Sequence, residues 1–292
     1  MVSPLMGNVQ KALRDGVRFT RTLARSGIES SARRLRDEAV ARGKQAWSIP
    51  EDDGYVKFDT ASLAGTEGAV AKVSALCAEW TRDPVRTTYD KLFPYNLFKP
   101  DDLLAYPEFV KLALHDDIIA SIAKYFDQVP RLYNLYMWWT PPNQTLKGSQ
   151  LYHYDHRDSR QAKVFMNISD VTPEAGPLHF LSARDSLAVD AKVGYSQDRY
   201  TDEQVYSAVS KPMEKQALGP SGSAYLVDTA RCLHFGSRGN QVQRLVLMAS
   251  FARANSVAPG AGCRVLDPVR EKLLSTHYSG DPVREFVLTV AK

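Results

Sequence analysis

The sequence is poor in cysteine. Three occur in 292 residues, Cys77, Cys232 and Cys263, an odd number without a CxxC spacing. That excludes a disulfide framework and a thiolate zinc site, and it points to a reducing compartment, so a cytoplasmic location is expected. No stretch approaches the roughly 18 to 20 consecutive apolar residues of a membrane-spanning helix. The N-terminus lacks the apolar core and small-residue cleavage site of a secretory signal. No Gly-rich phosphate loop, paired-carboxylate glycosidase site or Ser-His-Asp arrangement stands out. What is present is ordinary for a globular protein: 44% apolar and 24% charged residues, enough to bury a sizeable core.

The net charge of +4 is unevenly spread. Residues 1–50 carry ten Lys/Arg against four Asp/Glu, a balance of +6, which leaves −2 for residues 51–292. The body of the chain is therefore nearly neutral, and no nucleic-acid groove is expected on it. Residues 1–50 form one expected segment, basic and helical. Within it Leu5, Val9, Leu13 and Val17 recur at four-residue steps, and Leu23, Ile28, Leu35 and Ala39 continue the stripe less regularly. Such a helix, over residues 1–47, either packs its apolar stripe on the domain or lies on an anionic membrane surface, which would make the protein peripheral to a membrane.

Residues 51–292 are expected to form a single domain. From 55 to 130, Pro84, Pro94, Pro100 and Pro107 break the chain into short helices, the clearest being Ala69–Thr81 and Glu108–Phe126. Over residues 131–253 the texture changes to short β-rich runs divided by turn residues. Expected strands are Leu132–Trp139, Gln150–Asp155, Lys163–Asp170, Leu178–Leu181, Ser223–Val227, Cys232–Phe235 and Arg244–Arg253. Residues 186–212 interrupt them with a polar, more helical insertion, and 254–292 form a helical or irregular extension. The fold class is mainly β with flanking helices (α+β). Its core is a double-stranded β-helix, a jelly roll of the cupin-like kind, which encloses a site between two sheets.

In Gln150-Leu151-Tyr152-His153-Tyr154-Asp155, alternation along a strand places His153 and Asp155 on one side, within reach of one metal ion. A third ligand must come from elsewhere, and His234 is the candidate. Two imidazoles and a carboxylate on one face of an octahedron make the ferrous site of non-haem oxygenases. An HxD pair alone is a weak signal, and His156-Arg157-Asp158 offers a rival. Arg244 strengthens the reading. It opens the last long strand ten residues after His234, and its planar guanidinium suits the distal carboxylate of a cosubstrate such as 2-oxoglutarate.

Several segments together resemble the phytanoyl-CoA dioxygenase-like family of Fe(II)/2-oxoglutarate-dependent oxygenases, over about residues 131–253. They are Ser149–Asp155, Lys163–Val171, Gly176-Pro177, Asp228-Thr229 with His234 and Gly236, and Arg244–Leu247. The ten-residue interval from His153 to Lys163 fits the family's layout and selects His153/Asp155 over the rival pair. The resemblance implies Fe(II), 2-oxoglutarate and dioxygen as cofactor and cosubstrates. It also implies release of succinate and carbon dioxide, with hydroxylation of an unactivated C–H bond in a small organic molecule. Asp155 favours hydroxylation, or desaturation, over halogenation, because halogenating relatives lack that carboxylate. One departure is Ser182-Ala183-Arg184-Asp185, where relatives often carry a Pro-Gly-Ser-His turn.

Softer assignments accompany these. Lys163, Gln150 and Thr229 are expected beside the ligands or the cosubstrate, and Asn134 and Trp138 along the substrate pocket. No catalytic group beyond the metal ligands is expected. His179 is a minor rival ligand, while His115 and His277 read as surface residues. The insertion at 186–212 and the N-terminal third are expected to shape the pocket. Two further readings stay open: a membrane-surface oxygenase acting on a lipid or glycolipid, and a non-catalytic jelly-roll binding protein.

Overall fold

The computed structural model describes residues 26–83, 94–196, 198–254, 256 and 263–289. Nine strands form two sheets: β1 (Tyr55–Asp59), β2 (Tyr95–Asn96), β3 (Arg131–Thr140), β4 (Gln161–Asn167), β5 (His179–Phe180), β6 (Lys215–Gln216), β7 (Ser223–Asp228), β8 (His234–Phe235) and β9 (Arg244–Ala252). The large sheet runs β1-β7-β4-β9-β3-β2 and the small one β6-β5-β8, every pairing antiparallel. An isolated bridge between His153 and His234 adds the segment before β4 to the free side of β8, and Tyr152 bridges Tyr200 beyond it. This is the jelly-roll core expected from the short β-rich runs and their turns.

The pleat divides the large sheet into two faces. Ala162, Val164 and Met166 of β4 and Leu245, Leu247, Ala249 and Phe251 of β9 point away from the small sheet into the main core. There they meet Phe109, Val110, Ile118 and Ile122 of the helices Glu108–Ala113 and Asp116–Phe126, and Val73 and Cys77 of Ala69–Trp80. The other parity, Lys163, Phe165 and Asn167 of β4 with Arg244, Val246 and Met248 of β9, faces the small sheet across a cavity. One layer of helices thus backs the sheet and leaves its inner face free for chemistry.

Several expectations need correction. Both edge strands, β1 and β2, come from the stretch read as purely helical, because runs of five and two residues carry too little alternation to register. Glu108–Phe126 is two helices. His115 has an extended backbone and accepts from the amide of Asp117 through Nδ1 at 3.2 Å, restarting the helix ahead of Asp116 and Asp117. It is a cap, and its Nε2 lies 3.0 Å from the carbonyl of Ala64; His277 is exposed as expected. The expected strand Gln150–Asp155 begins as a 3-10 turn, Gly148–Gln150, and pairs only through Tyr152 and His153.

The insertion packs elsewhere than expected. Its helices, Ala183–Val193 and Asp202–Tyr206, cover the outer face of the small sheet. Val189, Tyr195, Tyr200 and Val205 bury Tyr152, Tyr154, Leu233 and Phe235, the residues alternating with His153, Asp155 and His234. The departing turn at 182–185 caps the first of these helices, Ser182 Oγ accepting from the Asp185 amide at 3.0 Å.

Of the N-terminal segment, residues 1–25 lie outside the described residues. Helices Ser26–Arg34 and Arg36–Arg42 follow, and residues after them are tied to the Asp116–Phe126 helix, Gln45 N–H to Asp117 at 2.7 Å and Trp47 N–H to Ser121 at 2.8 Å. Arg33 and Arg36 pair with Asp127 at 2.6 and 3.0 Å, and Arg42 with Asp281 at 2.7 Å. These arginines face carboxylates of the chain itself, so residues 26–47 lend no support to a membrane-surface role. No described helix is long and apolar enough to cross a membrane.

The rival pair also resolves here. Asp158 is completely buried and takes Arg253 Nη2 at 2.6 Å and Nε at 3.1 Å, with the Ser159 amide at 2.6 Å. Its carboxylate is consumed in tying the end of β9 to the loop before β4. Arg253→Met would leave that charge buried without its partner. Urea unfolding at pH 7 is expected to show a loss of about 3 kcal/mol, the low end for breaking a buried pair because Arg253 is partly exposed. Asp158→Asn in the same chain should restore part of it, and no recovery in the double variant would count against this account.

Candidate metal centre

The site is assembled by backbone pairing. His153 N–H donates to the carbonyl of His234 at 3.0 Å and His234 N–H to that of His153 at 3.1 Å, so two distant residues lie directly opposite each other. Their rings are 4.3 Å apart between centroids. Two residues on, Asp155 N–H donates to the carbonyl of Thr229 at 2.9 Å, which turns the carboxylate to the same side. One ligand atom from each of His153, Asp155 and His234 lies within 4.8 Å of the others, the one such group of three among the described residues. The Asp155 carboxylate oxygen Oδ2 is 3.7 Å from His234 Nε2.

Each imidazole is oriented by its own strand. His153 Nδ1 lies 2.8 Å from the carbonyl of Leu151 and His234 Nδ1 3.0 Å from that of Cys232. A carbonyl only accepts, so Nδ1 carries the proton and Nε2 keeps its lone pair toward the cluster. Burial, with the other ring close by, lowers the pKa of His153 to about 3. Burial likewise lowers His234 to about 4, against the opposing pull of Asp155. Burial alone would raise Asp155, but the Lys163 ammonium at 2.6 Å and the two imidazoles hold it well below the usual carboxylate range. At neutral pH the trio is one carboxylate and two neutral imidazoles, the donor set that suits a divalent first-row ion.

The trio opens into a cavity of about 270 Å³ between the sheets, near the lower limit of about 300 Å³ for small-molecule pockets. Trp138, Phe165, Leu178, Val246 and Met248 make its apolar walls, and Thr140, Asn167, Ser237 and Arg244 its polar end. None of the described residues of 186–212 is among its walls. Arg244 is the unusual member. Nη2 donates to Ser237 Oγ, Nε is buried without a partner, and no carboxylate pairs with the group among the described residues. Burial lowers its pKa to about 10, so it stays charged at pH 7. A buried cation facing a cavity without its counter-ion fits an anionic ligand that is not part of the chain.

Ser237 and Thr140 escaped the sequence reading. Ser237 adopts φ +61°, and its hydroxyl lies 3.4 Å from that of Thr140, the cross-strand partner of Arg244. Its amide donates to the carbonyl of Gly176 at 3.1 Å. Gly176 is itself at φ +62°, with Asn240 where a Cβ would stand. Nothing in the local sequence marks Ser237, because a long-range contact fixes its backbone. Phe165, Asn167, Val246 and Met248 were accessible, since period two extends the parity of Lys163 and Arg244.

The softer candidates scatter. Trp138 lines the cavity, but Asn134, four residues earlier on β3, does not; it accepts from Tyr136 Oη at 3.3 Å. Gln150 is fully buried and its side chain bonds Thr145, the Lys147 amide, Asn143 and the Ser237 carbonyl. It braces the loop beside the cavity and does not line it. Thr229 acts through its carbonyl on Asp155, while its hydroxyl lies 3.3 Å from Gln161 Nε2. His179 pairs with Glu214 at 2.5 Å and stacks on Phe235 at 4.5 Å, outside the trio.

No family model matches the sequence, and no curated protein matches it. Solved structures share the fold. AviO1 from Streptomyces viridochromogenes Tue57 superposes with a TM-score of 0.50 at 13% identity, over 76% of this chain and 97% of that one. HygX from Streptomyces hygroscopicus, solved with nickel and 2-oxoglutarate, gives 0.48 at 18% identity over 71% and 88%. EctD from S. alaskensis, solved with iron, gives 0.49 at 14% over 69% and 73%. At such identities the likeness concerns the fold alone.

Neutral imidazoles bind a metal without first losing protons. Two histidines of ordinary pKa would together release about 1.5 protons on metal binding at pH 6. Here release of fewer than about 0.3 is expected from the lowered values. Calorimetric titration of Co(II) into the metal-free chain, in two buffers of different ionisation enthalpy, measures the number; one proton or more would contradict the described burial.

Proposed function

We propose that this chain is an Fe(II)- and 2-oxoglutarate-dependent dioxygenase of the phytanoyl-CoA dioxygenase-like kind, and that it hydroxylates an unactivated C–H bond of a small organic molecule. The observation that carries the reading is one cavity holding two unlike sites: a neutral-imidazole/carboxylate trio at one wall and at another Arg244, which has no carboxylate partner among the described residues. A jelly-roll protein that only binds an apolar ligand has no use for either buried group, each of which costs desolvation free energy. Residues 51–292 are taken as the oxygenase unit, with residues 1–50 as an attached segment.

His153, Asp155 and His234 would hold the metal, and Arg244 with Ser237 and Thr140 the distal carboxylate of 2-oxoglutarate. When bound, iron and 2-oxoglutarate would activate dioxygen, the oxidant, one of whose atoms would end in succinate as carbon dioxide leaves and the other in the hydroxylated product. The chain's own part is positional. The paired backbones of His153 and His234 fix both Nε2 atoms before any ligand arrives, so little ordering remains to be done on binding. The apolar walls of Trp138, Phe165, Val246 and Met248 keep water from the reacting centre. Lys163, held by Asp155, keeps that carboxylate ionised and turned into the site.

His153→Ala or His234→Ala is expected to abolish Fe(II)-dependent succinate formation. Arg244→Ala should chiefly weaken 2-oxoglutarate, raising its Kd by on the order of a hundredfold, as loss of a buried charged contact of about 3 kcal/mol implies. Succinate release and equilibrium binding of 2-oxoglutarate measure the two effects. Unchanged 2-oxoglutarate affinity in the Arg244 variant would remove the cosubstrate assignment, and metal-independent binding of 2-oxoglutarate would remove the oxygenase reading.

A further inference from the structure

The charges around the cavity do not balance. Among the described residues, Arg244 and Lys163 line it against the single carboxylate of Asp155, the two histidines holding Nδ1 on backbone carbonyls and Nε2 toward the cluster. A third cation stands at the rim. Arg199 Nε donates to the carbonyl of Gly148 at 2.9 Å, beside Ser149, which lines the cavity and whose carbonyl accepts from the amide of Gly236 at 3.1 Å. Its neighbour Tyr200 donates to the carbonyl of Tyr152 at 2.9 Å, one residue from His153. The guanidinium is therefore anchored by one nitrogen at the edge of the centre, and it is exposed.

Nearby arginines are used differently. Arg238 takes both oxygens of Asp202 at 2.8 and 2.9 Å, Arg253 takes Asp158 at 2.6 Å, and Arg160 and Arg231 share Glu51 at 2.8 and 2.9 Å. Arg199 has no carboxylate partner among the described residues. On the reading above, a ferrous ion and a 2-oxoglutarate dianion cancel one another. The excess then persists in the loaded enzyme, with two cations beyond the one that Asp155 neutralises, and at the rim it is open to an arriving anion.

We propose that the substrate is an anion, a small molecule carrying a carboxylate or a phosphate, whose charged group is received at the rim by Arg199 while its apolar part enters beside the iron centre. The proposal rests on the oxygenase reading and narrows it to a substrate class. An anionic group at the rim satisfies the guanidinium nitrogens that Gly148 leaves available, in the paired geometry that carboxylates and phosphates share. It also fixes which carbon of the substrate lies at the metal, since the anchor and the trio stand on adjacent strand segments. A neutral substrate would leave the excess uncompensated and would gain nothing from Arg199.

The test uses the full chain, anaerobic, with Fe(II) and saturating 2-oxoglutarate. Inorganic phosphate and acetate are titrated in separately at low ionic strength, binding being read by calorimetry. At least one is expected to bind, and the stronger of the two distinguishes a phosphate from a carboxylate site. Arg199→Glu should weaken that binding at least about tenfold, as replacing attraction by repulsion across a rim contact implies. Arg199→Lys should retain most of it, and Arg184→Ala, a remote and exposed arginine paired with Asp52, should not change it. Unchanged 2-oxoglutarate affinity in the Arg199 variants shows that the centre is intact. Failure of both anions to bind a chain that does bind 2-oxoglutarate, or equal binding by Arg199→Glu, overturns the proposal while leaving the oxygenase reading in place. Failure of 2-oxoglutarate itself to bind overturns that reading, and this one with it.

Discussion

His153 and His234 are 81 positions apart in the chain, yet their amides and carbonyls exchange both hydrogen bonds of a single antiparallel bridge. Much of the site follows from that bridge. It places the two imidazoles side by side, tilted 44° to one another, on the inner side of the small sheet, and it makes their neighbours Tyr152 and Phe235 outward-facing residues for the insertion to cover. The bridge belongs to no long strand. Its permanence comes from what is packed behind it, the aromatic layer of Tyr152, Tyr154, Tyr200 and Phe235, all under a tenth exposed.

The insertion is therefore a buttress. Val189, Tyr195, Tyr200, Val205 and Val209 pack on the back of the ligand-bearing segments, and none of the described residues of 183–209 is among the cavity walls. Arg238 extends the same logic at the other edge, stacked 3.7 Å over Phe235 and bonded to the carbonyl of Gln150. Holding a metal trio in position requires that its strands not slide, because a one-residue slip would turn every ligand to the wrong face. Burying the reverse face in tyrosines opposes that slip with apolar area.

Opposite the small sheet, β4 and β9 provide a rigid floor. Their outer parity is committed to helices Glu108–Ala113 and Asp116–Phe126, their inner parity to the cavity. The charges on that floor, Lys163 and Arg244, are consequently as fixed as the hydrophobic core beneath them. The freedom that remains is at the rim, where Arg199 is anchored by one hydrogen bond and exposed.

What the sequence determined by itself is periodic and local. Short β-rich runs divided by turn residues pointed to the jelly roll, and alternation along one of them put His153 with Asp155 on one face. The order of those segments located the cavity between them. Short elements were not legible: β1 and β2 hold too few residues to show a period, and His115 looks like any polar residue until a helix restarts behind it. Nor did the local pattern separate His153/Asp155 from His156/Asp158, since two residues two apart are the same motif in either place. The interval to Lys163 in the family resemblance selected the first pair, and the tertiary structure supplies the physical reason: Asp158 finds Arg253 across the fold and Asp155 finds Thr229 and Lys163. The same holds for Gln150, whose amide serves a loop, for Ser237, whose left-handed backbone is set by Gly176, and for the insertion's placement. Each of these depends on which distant group supplies the hydrogen bond or the apolar contact, and a sequence carries that information only through the folded chain.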